Sequence, residues 1–157
     1  MAKSFYITDE YIDPLSKAFH LSDNLRKLDL SRTNLSKNNC KKLILHLPEN
    51  LESVNFSHNL EFGPENVSLF CSEILDDPRF MLESFIIEEC NIGDKGFVEI
   101  GKSLSHNQNL RYLDISNNGI TFKGTIDFCI HFSTNQFLQI LFMHWNLIGH
   151  KGGKALA

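Results

Sequence analysis

One apolar phrase recurs along the chain, and it is cleanest in LRYLDISNNGI, residues 110–120. Leu110, Leu113, Ile115 and Ile120 hold positions 1, 4, 6 and 11 of the phrase, with Asn118 at position 9. Alternation across positions 3 to 7 predicts a short strand, with Leu113 and Ile115 facing inward and Tyr112, Asp114 and Ser116 facing outward. Asn118 then turns inward, where its amide can bond backbone groups that a bending chain would leave buried and unpaired.

Placing position 1 at Leu25, Leu51, Leu82, Leu110 and Leu138 brings five copies into register, at intervals of 26, 31, 28 and 28 residues. Position 4 then reads Leu28, Val54, Phe85, Leu113 and Leu141, and position 6 reads Leu30, Phe56, Ile87, Ile115 and Met143. Position 9 is Thr33, Asn59, Cys90, Asn118 and Asn146, each able to hydrogen-bond in a turn, the cysteine only weakly. Position 11 is Leu35, Phe62 (after one inserted residue), Ile92, Ile120 and Ile148. Ser36, Gly63, Gly93, Thr121 and Gly149 follow at position 12, residue types suited to cap a helix start. Apolar residues then fall at helical spacing, as in Phe97, Ile100 and Leu104 or Phe128 and Phe132. Each unit is thus a strand, a turn and a helix. Stacked units share a core that none could form alone.

This pattern resembles the leucine-rich repeat family, in the longer, helix-containing class typified by ribonuclease inhibitor. The likeness covers about residues 5 to 157 and rests on repeats of roughly 28 residues with Asn or Cys at position 9. It implies an α/β fold, a right-handed horseshoe segment with a parallel inner sheet of about five strands and outer helices. It does not single out a function, because the class serves inhibitors, GTPase activators, actin regulators and innate sensors alike.

The expected organisation is a single repeat domain over 1–157. Residues 1–24 read as an N-terminal capping helix or half repeat, with Thr8 at the helix cap and Ile12, Leu15 and Phe19 on the inner face, over the open edge of the first strand. The second repeat carries an extra residue near Glu61 and a longer return, LDDPRFM, in which Asp76, Asp77 and Pro78 stop the helix. The fifth repeat stops about two turns into its helix without a polar cap, as expected of a fragment of a longer array or of an end covered by another chain.

Composition narrows the classes of partner. A net charge of −4 and a pI near 5.9 give no electrostatic reason to expect nucleic acid or an anionic membrane. No apolar run approaches the ~18 residues of a membrane span, and MAKSFYITDEYIDP lacks a secretory h-region, so a cytoplasmic location is expected. Cys40, Cys71, Cys90 and Cys129 lack metal-ligand spacing and are expected to be buried free thiols. Seven histidines include no H-x-x-x-H pair, and a nucleophile elbow and a P-loop are also lacking. Catalysis, metal binding and a cofactor are therefore not expected.

What remains is the outward face of the strands. The first two offer small polar and charged residues: Lys27, Asp29, Ser31 and Arg32, then Ser53, Asn55, Ser57 and His58. The third offers Ser84, Ile86, Glu88 and Glu89; the fourth Tyr112, Asp114, Ser116 and Asn117; the fifth Ile140, Phe142, His144 and Trp145. Exposed aromatic patches mark interfaces, and Trp and Tyr are common anchors there. The expected site is a concave protein-binding patch centred on Trp145 and Phe142, beside Tyr112, Asp114, His144 and Ile86. Glu88 and Glu89 would supply charge specificity toward a basic segment. The chain is read as a non-catalytic interaction module. The alternatives are a regulator or inhibitor of an enzyme or small GTPase, an actin-regulatory scaffold, and self-association through the terminal repeat.

Overall fold

The structure, a computed structural model, describes residues 6–157. Five short strands, β1 (Lys27–Asp29), β2 (Ser53–Asn55), β3 (Ser84–Ile86), β4 (Tyr112–Asp114) and β5 (Ile140–Phe142), form one sheet in sequence order. Every neighbouring pair is parallel and in the register that the repeated phrase predicts: Leu28, Val54, Phe85, Leu113 and Leu141 align across the sheet. Helices α1 (Asp9–His20), α2 (Lys37–Ile44), α3 (Gly63–Phe70), α4 (Gly93–Leu104), α5 (Phe122–Phe132) and α6 (Gly149–Leu156) form a second layer. Strands sit about 4.8 Å apart and helices about 10 Å apart, so the stack must bend with the sheet on its inner, concave side.

The core lies between the layers. Leu113 and Ile115 are fully buried, as are Val54, Phe56, Phe85 and Ile87 at the same repeat positions. Phenylalanine fills much of this space: Phe70 stacks on Phe85 at 4.0 Å, and Phe97 stacks on Phe128 at 3.9 Å. Where Phe128 crosses α4, a Cβ on Gly101 would come within 2.9 Å of its ring.

The turns confirm the inward amide and show which way it reaches. Asn118 accepts from the N–H groups of Cys90 (2.9 Å) and Ile92 (3.3 Å) with its Oδ1. Its Nδ2 donates to the carbonyls of Ile87 (2.7 Å) and Ser116 (3.0 Å). Asn146 does the same one repeat on, accepting from Asn118 and Ile120 and donating to Ile115 and Met143. Asn59 accepts from Leu35 N–H and donates to Leu30 and Phe56. Each amide therefore reaches back to the preceding repeat. Cys90 keeps only half of this role, its thiol donating to Phe56 O at 3.2 Å.

Helix starts divide into two kinds. Ser36 and Thr121 cap with their hydroxyls, which accept from Asn39 N–H and Lys123 N–H. Gly63, Gly93 and Gly149 serve differently, since each turns the chain into its helix at φ between +57° and +65°, a region only glycine enters without strain. Thr8 precedes α1 but forms no side-chain cap, its hydroxyl donating instead to Glu10 at 3.2 Å. Helix α1 packs against α2 and so extends the helical layer by a half repeat, with Ile12 and Phe19 in the core and Ile7 N–H bonded to Thr33 O. The longer return of the second repeat opens with a π-helical turn, Cys71–Leu75. Arg79 then ties it down through Asp77 and Glu49.

At the far end the pattern is interrupted. Leu138, Leu141, Met143 and Ile148 are only half-buried, and Leu147 is 70% exposed. Just after β4, Ile115 N–H and Asn117 N–H donate to Phe142 O and His144 O. Among the described residues nothing accepts from their counterparts, Met143 N–H and Trp145 N–H.

Cys40, Cys71 and Cys90 are buried, whereas Cys129 is half-buried because the short α6 covers α5 incompletely. Burial pushes the first three thiols up from 9.0 to about 12. A thiol that holds its proton more tightly when folded contributes full stability below about pH 9 and loses it as pH rises towards 12. Denaturant midpoints should therefore fall steadily above about pH 9; a flat profile there would contradict the burial of these groups. Replacing Asn118 with Ala should cost about 3 kcal/mol or more in a urea melt, since it strands buried N–H and C=O groups together. Asn146→Ala, in a half-buried turn, should cost clearly less.

Candidate functional site

The concave face is read along its registered rows. One row runs Lys27, Ser53, Ser84, Tyr112 and Ile140, and the next runs Asp29, Asn55, Ile86, Asp114 and Phe142. Two further rows continue into the turns, through Ser31, Ser57, Glu88, Ser116 and His144, then Arg32, His58, Glu89, Asn117 and Trp145. All five members of the last row have φ between +53° and +61°. The backbone there is left-handed in every repeat; His58 and Asn117 are of types enriched in that region, whereas Arg32, Glu89 and Trp145 are not.

The structure gathers three of the expected site residues into one aromatic cluster. Tyr112 and Phe142 lie 5.6 Å apart at a 60° tilt, and Phe142 meets the His144 ring edge-on at 5.8 Å. Phe142 and His144 are exposed, and Tyr112 is half-buried. Burial, then the carboxylates of Asp114 and Glu88, push the Tyr112 phenol up. Trp145 is 82% exposed and pairs with no other ring among the described residues. It takes no part in these ring contacts. Ile86 is half-buried in the row between Asn55 and Asp114.

Glu89 is already engaged within the chain, and Glu88 lies near the same histidine. His58 Nδ1 lies 2.7 Å from Glu89 Oε2, and His58 Nε2 lies 3.6 Å from Glu88 Oε2. Arg32 Nη2 stands 2.8 Å from the same Nε2. A guanidinium can only donate, so Nε2 accepts and the Nδ1–H donates to Glu89. This Arg32–His58–Glu89 chain crosses three strands, and neither Arg32 nor His58 was expected in the site. Positions 58 and 89 lie 31 residues apart, in sequence register at position 8. That register is the signal that could have paired them.

One outward position behaves otherwise than alternation predicts. Ser57 and Ser116 are buried, not exposed, because each stands in its row next to a longer side chain, Glu88 beside both and His144 beside Ser116. Ser57 Oγ accepts from Glu88 N–H at 3.0 Å, while Ser116 Oγ has no partner among the described residues. No group of three or more potential metal ligands occurs among the described residues. One cleft lies away from this face, between the returning loops at Asp23, Pro48, Arg79 and Phe80. No helix is long and apolar enough to cross a membrane.

Strand, turn and helix stacked in chain order define the molecule as an α/β solenoid of tandem repeats. A family model described as "Leucine Rich repeat" matches residues 106–129, the copy with the cleanest phrase. The chain belongs to the leucine-rich repeat family. It is similar to NACHT, LRR and PYD domains-containing protein 4C of Mus musculus (28% identical, 85% of this chain) and protein 13 of Homo sapiens (30% identical, 74% of this chain). It spans only 14% and 11% of the lengths of these relatives. Among solved structures it resembles the actin-binding site 2 (ABS2) structure of leiomodin-1, at TM-score 0.73 and 15% identity over 99% of this chain and 87% of that one. It also resembles the tropomodulin C-terminal domain of Caenorhabditis elegans, at TM-score 0.73 and 13% identity over 95% and 92%. At these identities the structural likeness is one of fold.

A bulky residue in the left-handed region carries strain, so Trp145→Asn should raise stability by about 0.5–1 kcal/mol. A denaturant melt measures this, and a loss of stability would show that the Trp145 side chain packs on its own chain.

Proposed function

We propose that the concave face over β3–β5 is a docking surface for another protein, and that the chain is a non-catalytic interaction module. The observation that carries this reading is the cluster of Tyr112, Phe142 and His144 beside a solvent-facing Trp145, on a sheet face whose other end is polar. Aromatic anchors of this kind contribute binding energy by leaving water, and charged neighbours restrict the partner. Ile86, Asp114, Glu88 and Glu89 form the surrounding rim. Cytoplasmic action belongs to the same reading, supported by four free thiols. Regulation of an enzyme or small GTPase, and an actin-regulatory scaffold, are particular forms of it; actin co-sedimentation and turnover assays check them directly.

A second reading is self-association, favoured by the unpaired Met143 and Trp145 N–H groups and the half-buried Leu141 and Met143 at the β5 edge. The two readings separate cleanly. A partner captured by cross-linking should be lost with the Phe142→Ala/Trp145→Ala double variant while the sedimentation behaviour of the chain stays the same. A shift from dimer to monomer in that variant would favour self-association instead.

A further inference from the structure

The docking reading leaves open what chemistry the partner brings to the aromatic cluster, and the charges on this face bear on that. Over β3–β5 and their turns the outward residues are Ser84, Ile86, Glu88, Glu89, Tyr112, Asp114, Ser116, Asn117, Ile140, Phe142, His144 and Trp145. Three carboxylates stand among them and no lysine or arginine. The basic residues of the concave face, Lys27 and Arg32, are on β1 and its turn, and the Arg32 guanidinium is already engaged by His58 Nε2 at 2.8 Å. Arg111, next in sequence to Tyr112, is turned elsewhere, its guanidinium 5.5 Å over the Phe137 ring.

We propose that this patch holds a guanidinium: an arginine side chain of the partner segment, laid against Phe142 and Tyr112 with its N–H groups directed at Asp114 and Glu88. The inference rests on the docking reading and adds the identity of the anchor. Tilted aromatic faces attract a cation through their electron-rich surfaces. A planar fork of donors suits a ring on one side and carboxylates on the other better than a lysine ammonium does. Asp114 Oδ1 accepts from Ser116 N–H, which leaves its second oxygen available.

A random peptide library panned on the intact chain provides the test. Enriched peptides should share an arginine, and replacing it with the neutral isostere citrulline should weaken binding about tenfold or more. Glu88→Gln and Asp114→Asn should each weaken it several-fold while leaving the melting midpoint unchanged; both retain an oxygen acceptor, so the Ser116 turn survives. Affinity should also fall as salt rises. Peptides that bind through Phe142 and Trp145 but carry no basic residue would overturn the guanidinium and leave the docking reading standing. Equal affinity of lysine and arginine versions would likewise overturn it. A library with no binder that Phe142→Ala loses would overturn both.

Discussion

The rest of the structure depends on an amide that faces backwards. In three of the five turns an asparagine places its oxygen against two donors of the repeat before it and its nitrogen against carbonyls of both repeats. A chain that reverses direction inside a core must satisfy those groups or lose a few kcal/mol at each turn. Once they are satisfied, the strands are locked in register, the phenylalanines of successive repeats meet face to face, and the helices are held at the spacing that bends the sheet. The fold is therefore additive from one neighbour to the next, as in other stacked repeats.

That direction of support has a consequence at each end of the array. An amide that reaches back secures the repeat before it, so the fifth repeat holds the fourth while, among the described residues, no later amide holds the fifth in the same way. Its core positions are half-buried, and its turn exposes Trp145. The same geometry explains why the sheet surface is free to diversify. Outward positions bear no part of the core, and the left-handed residue of each turn directs its side chain away from the stack, whatever its chemistry. From Arg32 through His58 and Glu89 to Trp145, that row changes from basic to acidic to aromatic without altering the backbone.

Much of this was legible in the sequence, because the spacing of buried leucine-type residues and turn amides is set by the backbone. Leu113, Ile115 and Asn118 fall where the phrase predicts, and the strand register follows from counting. The helix starts were only half legible: a glycine and a threonine at the same position both begin a helix, but one does so through φ and the other through a hydroxyl. A second set of amides was missed. Asn107 and Asn135 bind carbonyls of the preceding repeat and the N–H groups at the next strand's approach, and the signal was present in NQNL and NQFL, 28 residues apart. The contacts on the concave face were the least legible. Whether Glu89 faces solvent or a histidine depends on which rotamers meet across strands, and Ser116 is buried by the length of its neighbours and not by its own polarity.

Native-state hydrogen exchange, resolved by residue, tests the backward-facing amide most directly. The N–H groups of Cys90, Ile92, Asn118 and Ile120 should be strongly protected, while those of Met143 and Trp145 exchange quickly. Rapid exchange at the first four, or protection at the last two equal to theirs in the monomeric chain, would contradict the account.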